Sequence, residues 1–150
     1  MELLIVAIVA LAYLLHRRSA AGASLPYQQP QQTTTNGLDN VTEAIARYEG
    51  FYIPGSVAQR TNNPGNVGTY GGQVASYADS GDGWTALQDW VTSHAAANPS
   101  WNFYDLTSYY LTGSTTGNPG PGQDPNAYAQ YIADYLGVSP TTTVSSTLGS

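Results

Sequence analysis

Residues 40–66 read NVTEAIARYEGFYIPGSVAQRTNNPGN, and the fold turns on how this stretch is read. Val41, Ala44, Ile45 and Tyr48 recur at helical spacing and make one apolar stripe. Asn40 offers a capping side chain, and Glu43 three residues later completes a capping box, so the helix is expected to start at Asn40. Gly50 supplies the residue that can turn left-handed and stop it. That leaves Glu49 in the last turn, where the negative end of the helix dipole opposes a carboxylate and raises its pKa. Tyr48, Phe51 and Tyr52 stand beside it and can add desolvation in the same direction, toward the protonated form a general acid needs. The plain alternative is a solvated Glu at a frayed helix end.

Outward from this stretch, the chain reads as further helices around one small β element. Residues Val67 to Ala78 hold Gly71-Gly72 between short β-prone pieces, a small hairpin or an irregular loop. A helix is expected from about Asp82 to Ala97, with Asp82 as its N-cap, Asp79 as a turn residue, and Trp84, Leu87 and Val91 on one face. Another covers about Asn102 to Leu111, with Phe103, Leu106 and Tyr110 inward. After the Gly- and Pro-rich loop 113–122, the last begins at Asp124 with Pro125 in its first turn. It buries Tyr128, Ile132 and Tyr135 or Leu136 before Gly137 ends it. The expected class is mainly α (α+β): a small domain over residues 38–138 with a minor β-hairpin.

The flanks read differently. Leu3 to Leu15 is an unbroken apolar run closed by His16, Arg17 and Arg18, which predicts an anchor helix over residues 1–18 in a membrane, single-pass, or buried against protein subunits. The run is shorter than the roughly 20 residues of a comfortable span, and Glu2 argues against a secretory signal. The arginines after it would keep the rest of the chain on the cytoplasmic side. Residues 19–37, rich in Gln, Pro and Thr, read as a tether, and residues 139–150 as a Ser/Thr-rich tail that wraps or frays.

Composition narrows the chemistry. The chain has no Cys, which excludes a disulfide framework, a thiolate metal site and a cysteine nucleophile. Four Arg, no Lys and a formal charge of −6 argue against a nucleic-acid partner. His16 and His94 are not spaced as metal ligands, and no Ser stands in a nucleophile elbow, so neither a metal nor a cofactor is expected. A surface solvated by hydroxyls, amides and tyrosines suits a carbohydrate ligand, and is equally common in particle-associated proteins.

Tyr48-Glu49-Gly50-Phe51-Tyr52, a helix ending in Glu followed by a small residue and an aromatic, resembles the catalytic segment of lytic transglycosylases and goose-type lysozymes. The run Arg60-Thr61-Asn62-Asn63-Pro64-Gly65-Asn66 is similar to small phage and bacterial transglycosylase-like proteins that carry an NNPGN motif soon after that Glu. Tyr77-Ala78, Gly83 to Leu87, Tyr109-Tyr110 and Tyr128 to Val138 follow the same outline, so the resemblance spans about residues 40–140. It implies a lysozyme-like domain that cleaves the MurNAc–GlcNAc β-1,4 bond of peptidoglycan glycan strands, with Glu49 as the one catalytic acid and base. It also implies that the Asn turn lines the cleft. Asn62, Asn63, Asn66, Tyr70, Tyr128 and Tyr131 are then the candidate substrate-binding residues.

Each has a bland counterpart. The Asn side chains can cap their own turn, Arg60 can pair with a carboxylate, shape the loop or be a surface cation, and aromatic residues at helical spacing are usually core. A two-carboxylate glycosidase needs a partner at about 5–5.5 Å or roughly 6.5–9.5 Å, and none is obvious here. A lytic transglycosylase needs only one. The anchor and the resemblance together suggest a bacteriophage protein in a virion membrane, with capsid or other virion proteins as neighbours, that digests the wall locally when infection begins. The alternative is a non-catalytic virion protein with a lysozyme-like binding domain.

Overall fold

The computed structural model describes residues 36–68 and 73–149. The anchor, nearly all of the tether and Tyr70 lie outside the described residues. Among those described, six helices surround one core: α1 (Gly37–Tyr48), α2 (Val57–Arg60), α3 (Ser80–Ala97), α4 (Phe103–Thr112), α5 (Pro125–Leu136) and α6 (Val144–Leu148). The domain is mainly helical. The expected hairpin is reduced to an isolated antiparallel bridge, Gly68 to Val74, with Ala75 N–H donating to Val67. No helix among the described residues is long and apolar enough to cross a membrane.

α1 begins about one turn before the expected start. Asn36, not Asn40, is its N-cap, accepting from Asp39 N–H at 2.9 Å. Both asparagines have an acidic residue three positions on, so local chemistry permits either cap. Tertiary contact decides. Gly37 lies so close to the C-terminal segment that a Cβ would fall 1.8 Å from the Thr147 carbonyl oxygen, and Asp39 accepts from Gln88 Nε2 on α3. The helix ends as expected at Gly50 (φ +78), where Phe51 N–H donates to Ala46 and Glu49 becomes the C-cap.

The N-cap of α3 is Asp79, which accepts from Asp82 N–H at 3.0 Å, correcting the expected Asp82 cap. The helix thereby gains Ser80 and Gly81, and Asp82 sits in its first turn, favourable toward the dipole. α4 starts after Asn102 with a capping box to Asp105, and α5 after Asp124 with Pro125 at its head, both as expected. Of the pair Tyr135 and Leu136, it is Leu136 that turns toward the core, while Tyr135 is exposed.

The C-terminal segment does not fray. Val144 is fully buried, Val144 N–H donates to Trp101, Phe103 N–H donates to Pro140, and Thr143 bridges Asn102. The folded unit therefore runs to Gly149. With few apolar residues, this segment showed no periodic pattern, yet Val144 and Leu148 suffice to seat it on the core. The core joins Val41, Ala44 and Ile45 of α1, Leu87 and Val91 of α3, Phe103 and Leu106 of α4, and Tyr128 and Ile132 of α5. Tyr48 and Trp84, expected inside, are partly buried against it.

One backbone approach fixes the turn over residues 61–67. A Cβ on Gly83, in the first turns of α3, would lie 1.9 Å from the Asn62 carbonyl oxygen and 2.9 Å from Pro64. Backbone cannot yield as a flexible side chain can. Gly83→Ala should therefore destabilise the domain by about 1–3 kcal/mol, read as a lowered denaturation midpoint; an unchanged midpoint would refute the close packing of α3 on this turn.

Candidate active site

Four elements converge on Glu49: the end of α1, the turn over residues 61–67, α4 and α5. The turn is built by its asparagines. Asn62 and Asn66 both hold positive φ, +52° and +50°, a region Asn tolerates better than other residues with a side chain. Asn62 Nδ2 donates to the Tyr77 and Ala78 carbonyls at 3.2 and 3.3 Å. Asn63 is fully buried: its Nδ2 donates to Val67 and Ala75, and its Oδ1 accepts from Val67 N–H. These two amides tie the turn to the segment that follows, and Asn63 has no surface left for a ligand. Arg60 is exposed and donates to the Gly55 carbonyl at 2.7 Å, in the loop before α2 rather than in the Asn turn.

Asn66 is different. Its Nδ2 donates to Glu49 Oε2 at 2.9 Å, across 17 residues of sequence. The turn is held at the right height for this by Tyr110 of α4, whose hydroxyl donates to the Gly65 carbonyl. A Cβ on Gly65 would meet that hydroxyl and Leu87 Cδ1, each at 2.6 Å, so a larger residue there would displace the ends of both side chains.

Aromatic rings pack around the end of α1. Tyr128 of α5 is 1% exposed and stacks on Tyr48 with ring centroids 3.7 Å apart. Tyr110 meets Tyr128 edge to face at 6.1 Å. Phe51 packs edge-on against Trp84. Tyr52, expected to shield Glu49, is 53% exposed and donates to Glu43 Oε2 instead. Tyr110 of α4 and Tyr128 of α5 are the rings that face Glu49 from distant helices. In sequence Tyr110 reads as an inward helical position and falls within the Tyr109-Tyr110 stretch of the resemblance, but nothing marks it as a neighbour of Glu49. Tyr131 lies at the surface beside the site, its ring 5.4 Å from Tyr48.

Burial raises the pKa of Glu49 above its ordinary value; the hydrogen bond from Asn66 and the nearby Tyr128 hydroxyl pull it down by less. None of the groups that shift it is another carboxylate. Most of the remaining carboxylates are engaged elsewhere. Asp79, Asp105 and Asp124 cap helices, Asp39 binds Gln88, Glu43 pairs with Arg47, Asp134 accepts from Gln130, and Asp82 and Asp89 are exposed. No group of three or more metal-ligating side chains occurs among the described residues.

A raised folded-state pKa makes folding favour the protonated acid. Its stabilising share is complete below the unfolded value of 4.5 and is lost as pH rises through the folded value. Glu49→Gln cannot ionise. Its melting temperature should match the parent's in acid and exceed it increasingly toward neutral pH; parallel curves across the titration would contradict a buried, proton-holding carboxyl.

The arrangement is a part-buried carboxyl whose pKa burial raises, hydrogen-bonded by one amide and packed near the rings of α4 and α5. No protein-family model, no curated protein and no solved structure matches the chain.

Proposed function

We propose that this domain cleaves the MurNAc–GlcNAc β-1,4 bond of peptidoglycan as a lytic transglycosylase, with Glu49 as its single acid and base. The observation that carries the reading is the part-buried carboxyl of Glu49, which alone among the described carboxylates has its pKa raised by burial, and which is held by the neutral Asn66 amide rather than by a cation. A salt-bridged carboxylate would be fixed in the ionised state; this one can give its proton.

The chemistry then balances on one group. The Glu49 proton passes to the glycosidic oxygen as the C1–O bond breaks. The resulting carboxylate accepts the proton of the C6 hydroxyl on the same MurNAc as that oxygen bonds to C1, closing a 1,6-anhydro ring and restoring the acid. No second carboxylate is needed to activate water. Tyr131, exposed beside the site, is available to stack on a sugar ring. The reading extends to the apolar run Leu3 to Leu15 as a membrane anchor, and to a virion-associated role in local wall digestion by a phage.

Digestion of purified sacculi followed by mass spectrometry of the released muropeptides tests it. Products with 1,6-anhydro ends are expected. Reducing ends would make the enzyme a hydrolysing lysozyme, and binding to sacculi without release would make the domain a wall-binding part of the particle.

A further inference from the structure

Three tyrosines stand exposed among the described residues: Tyr52 at 53%, Tyr131 at 39% and Tyr135 at 39%. They form one group. Tyr131 and Tyr135 are four residues apart on α5 and so share a face of that helix. The Arg47 guanidinium carbon lies 5.1 Å from the centre of the Tyr52 ring and 5.8 Å from that of Tyr135, so one cation joins these two rings. Tyr131 lies 5.4 Å from the ring of Tyr48, the residue before Glu49. The row therefore adjoins the end of α1 that carries Glu49. Its rings are also held in place. The Tyr52 hydroxyl donates to Glu43 Oε2 at 2.7 Å, and Glu43 Oε1 pairs with Arg47 at 2.6 Å. Those two charged side chains are only 24% and 20% exposed, so the ion pair is more sheltered than the rings it holds. Ordering an exposed ring normally opposes binding, whereas here a ligand meets a face that is already fixed.

We propose that Tyr52, Tyr131 and Tyr135 form a platform that holds the sugars of a glycan strand beyond those seated at Glu49. This rests on the glycan-cleaving role proposed above, and the make-up of the row selects the occupant. A sugar ring presents C–H faces edged with hydroxyls and amides, so it can stack on a phenol ring while its edge bonds to the carboxylate and guanidinium between the rings. A lipid surface or an apolar protein face would strip water from the Glu43–Arg47 pair and offer no hydrogen bond in return, a desolvation cost that apolar contact does not offset. An anionic polymer is disfavoured as well, because the cation of the row is already neutralised by Glu43. The consequence is a preference for length. Glu49 acts on one linkage, and the tyrosines bind the rest of the strand, so the domain favours long strands over short fragments.

The test uses the full chain carrying Glu49→Gln, so that ligand is not consumed, and calorimetric titration with peptide-free strands of alternating GlcNAc and MurNAc and with the corresponding disaccharide. Long strands should bind more tightly than the disaccharide. Adding Tyr52→Ala or Tyr135→Ala should weaken long-strand binding by roughly three- to tenfold each and leave disaccharide binding unchanged. Tyr52→Phe, which keeps the ring and loses only its bond to Glu43, should recover most of the affinity. All of these chains should melt within a few degrees of one another, because the substituted rings are exposed. Long strands that bind the Ala variants as tightly, or that bind no better than the disaccharide, would overturn the platform. So would Ala variants whose only change is a smaller sedimenting species or weaker uptake by phosphatidylglycerol vesicles, which would assign the row to a second copy or to a lipid surface. Strands that bind through the row but are not cleaved by the chain with Glu49 intact would strike the proposed chemistry and leave the platform standing.

Discussion

Glu49→Gln is expected to lower peptidoglycan cleavage by roughly 10²–10⁴-fold or more while the fold persists, because Gln keeps the volume and the acceptor for Asn66 but has no proton to give. The fold should persist for a stated reason: the neutral amide removes a buried ionisation rather than a structural bond. Circular dichroism and melting should be parental or better at neutral pH, and muropeptide release should vanish. Asp79→Asn and Asp82→Asn should change activity far less. Asp79 caps α3, a role Asn performs nearly as well, and Asp82 is exposed in its first turn. Full activity in Glu49→Gln would remove the residue from the chemistry. Activity that depended on an Asp instead would point to a two-carboxylate mechanism.

Leu87→Ala should cost about 2–5 kcal/mol of folding free energy, measured by chemical denaturation. Leu87 is completely buried in the cluster that joins α1, α3, α4 and α5, and its methyl groups also press against Gly65. Truncation leaves a cavity at the junction of the core and the Asn turn. The loss should therefore appear twice, in stability and in the placement of Asn66 against Glu49, so that kcat falls even at temperatures where the variant remains folded. A midpoint shift near zero would mean that α3 presents a different face to the core.

The stops at Gly50 and Gly137 and the cap at Asp124 were readable because each acts within one helical turn: a left-handed glycine or a capping oxygen needs no distant partner. The cap of α1 was not, because Asn36 and Asn40 are chemically equivalent locally and the choice rests on Gly37 meeting Thr147 at the other end of the chain. Asp79 and Asp82 posed the same ambiguity. The docking of α6 was invisible, since Val144 and Leu148 make too short an apolar pattern to register.

The candidate site divides the same way. That Glu49 ends a helix, and that the Asn run makes a turn, follow from periodicity and from Pro64-Gly65, so sequence alone determined them. Which asparagine reaches Glu49 was decided only in three dimensions. Asn62 and Asn63 spend their amides on the loop's own carbonyls, leaving Asn66 to cross to α1. The choice of rings facing Glu49 was tertiary as well: Tyr52, next but two to Glu49, points to Glu43 in solvent, whereas Tyr110 and Tyr128 arrive from helices more than 60 residues away. Hydrogen bonds that cap or turn the chain are local and leave a pattern in sequence; the burial that raises a carboxyl's pKa is a sum over everything packed around it, and exists only once the helices have met.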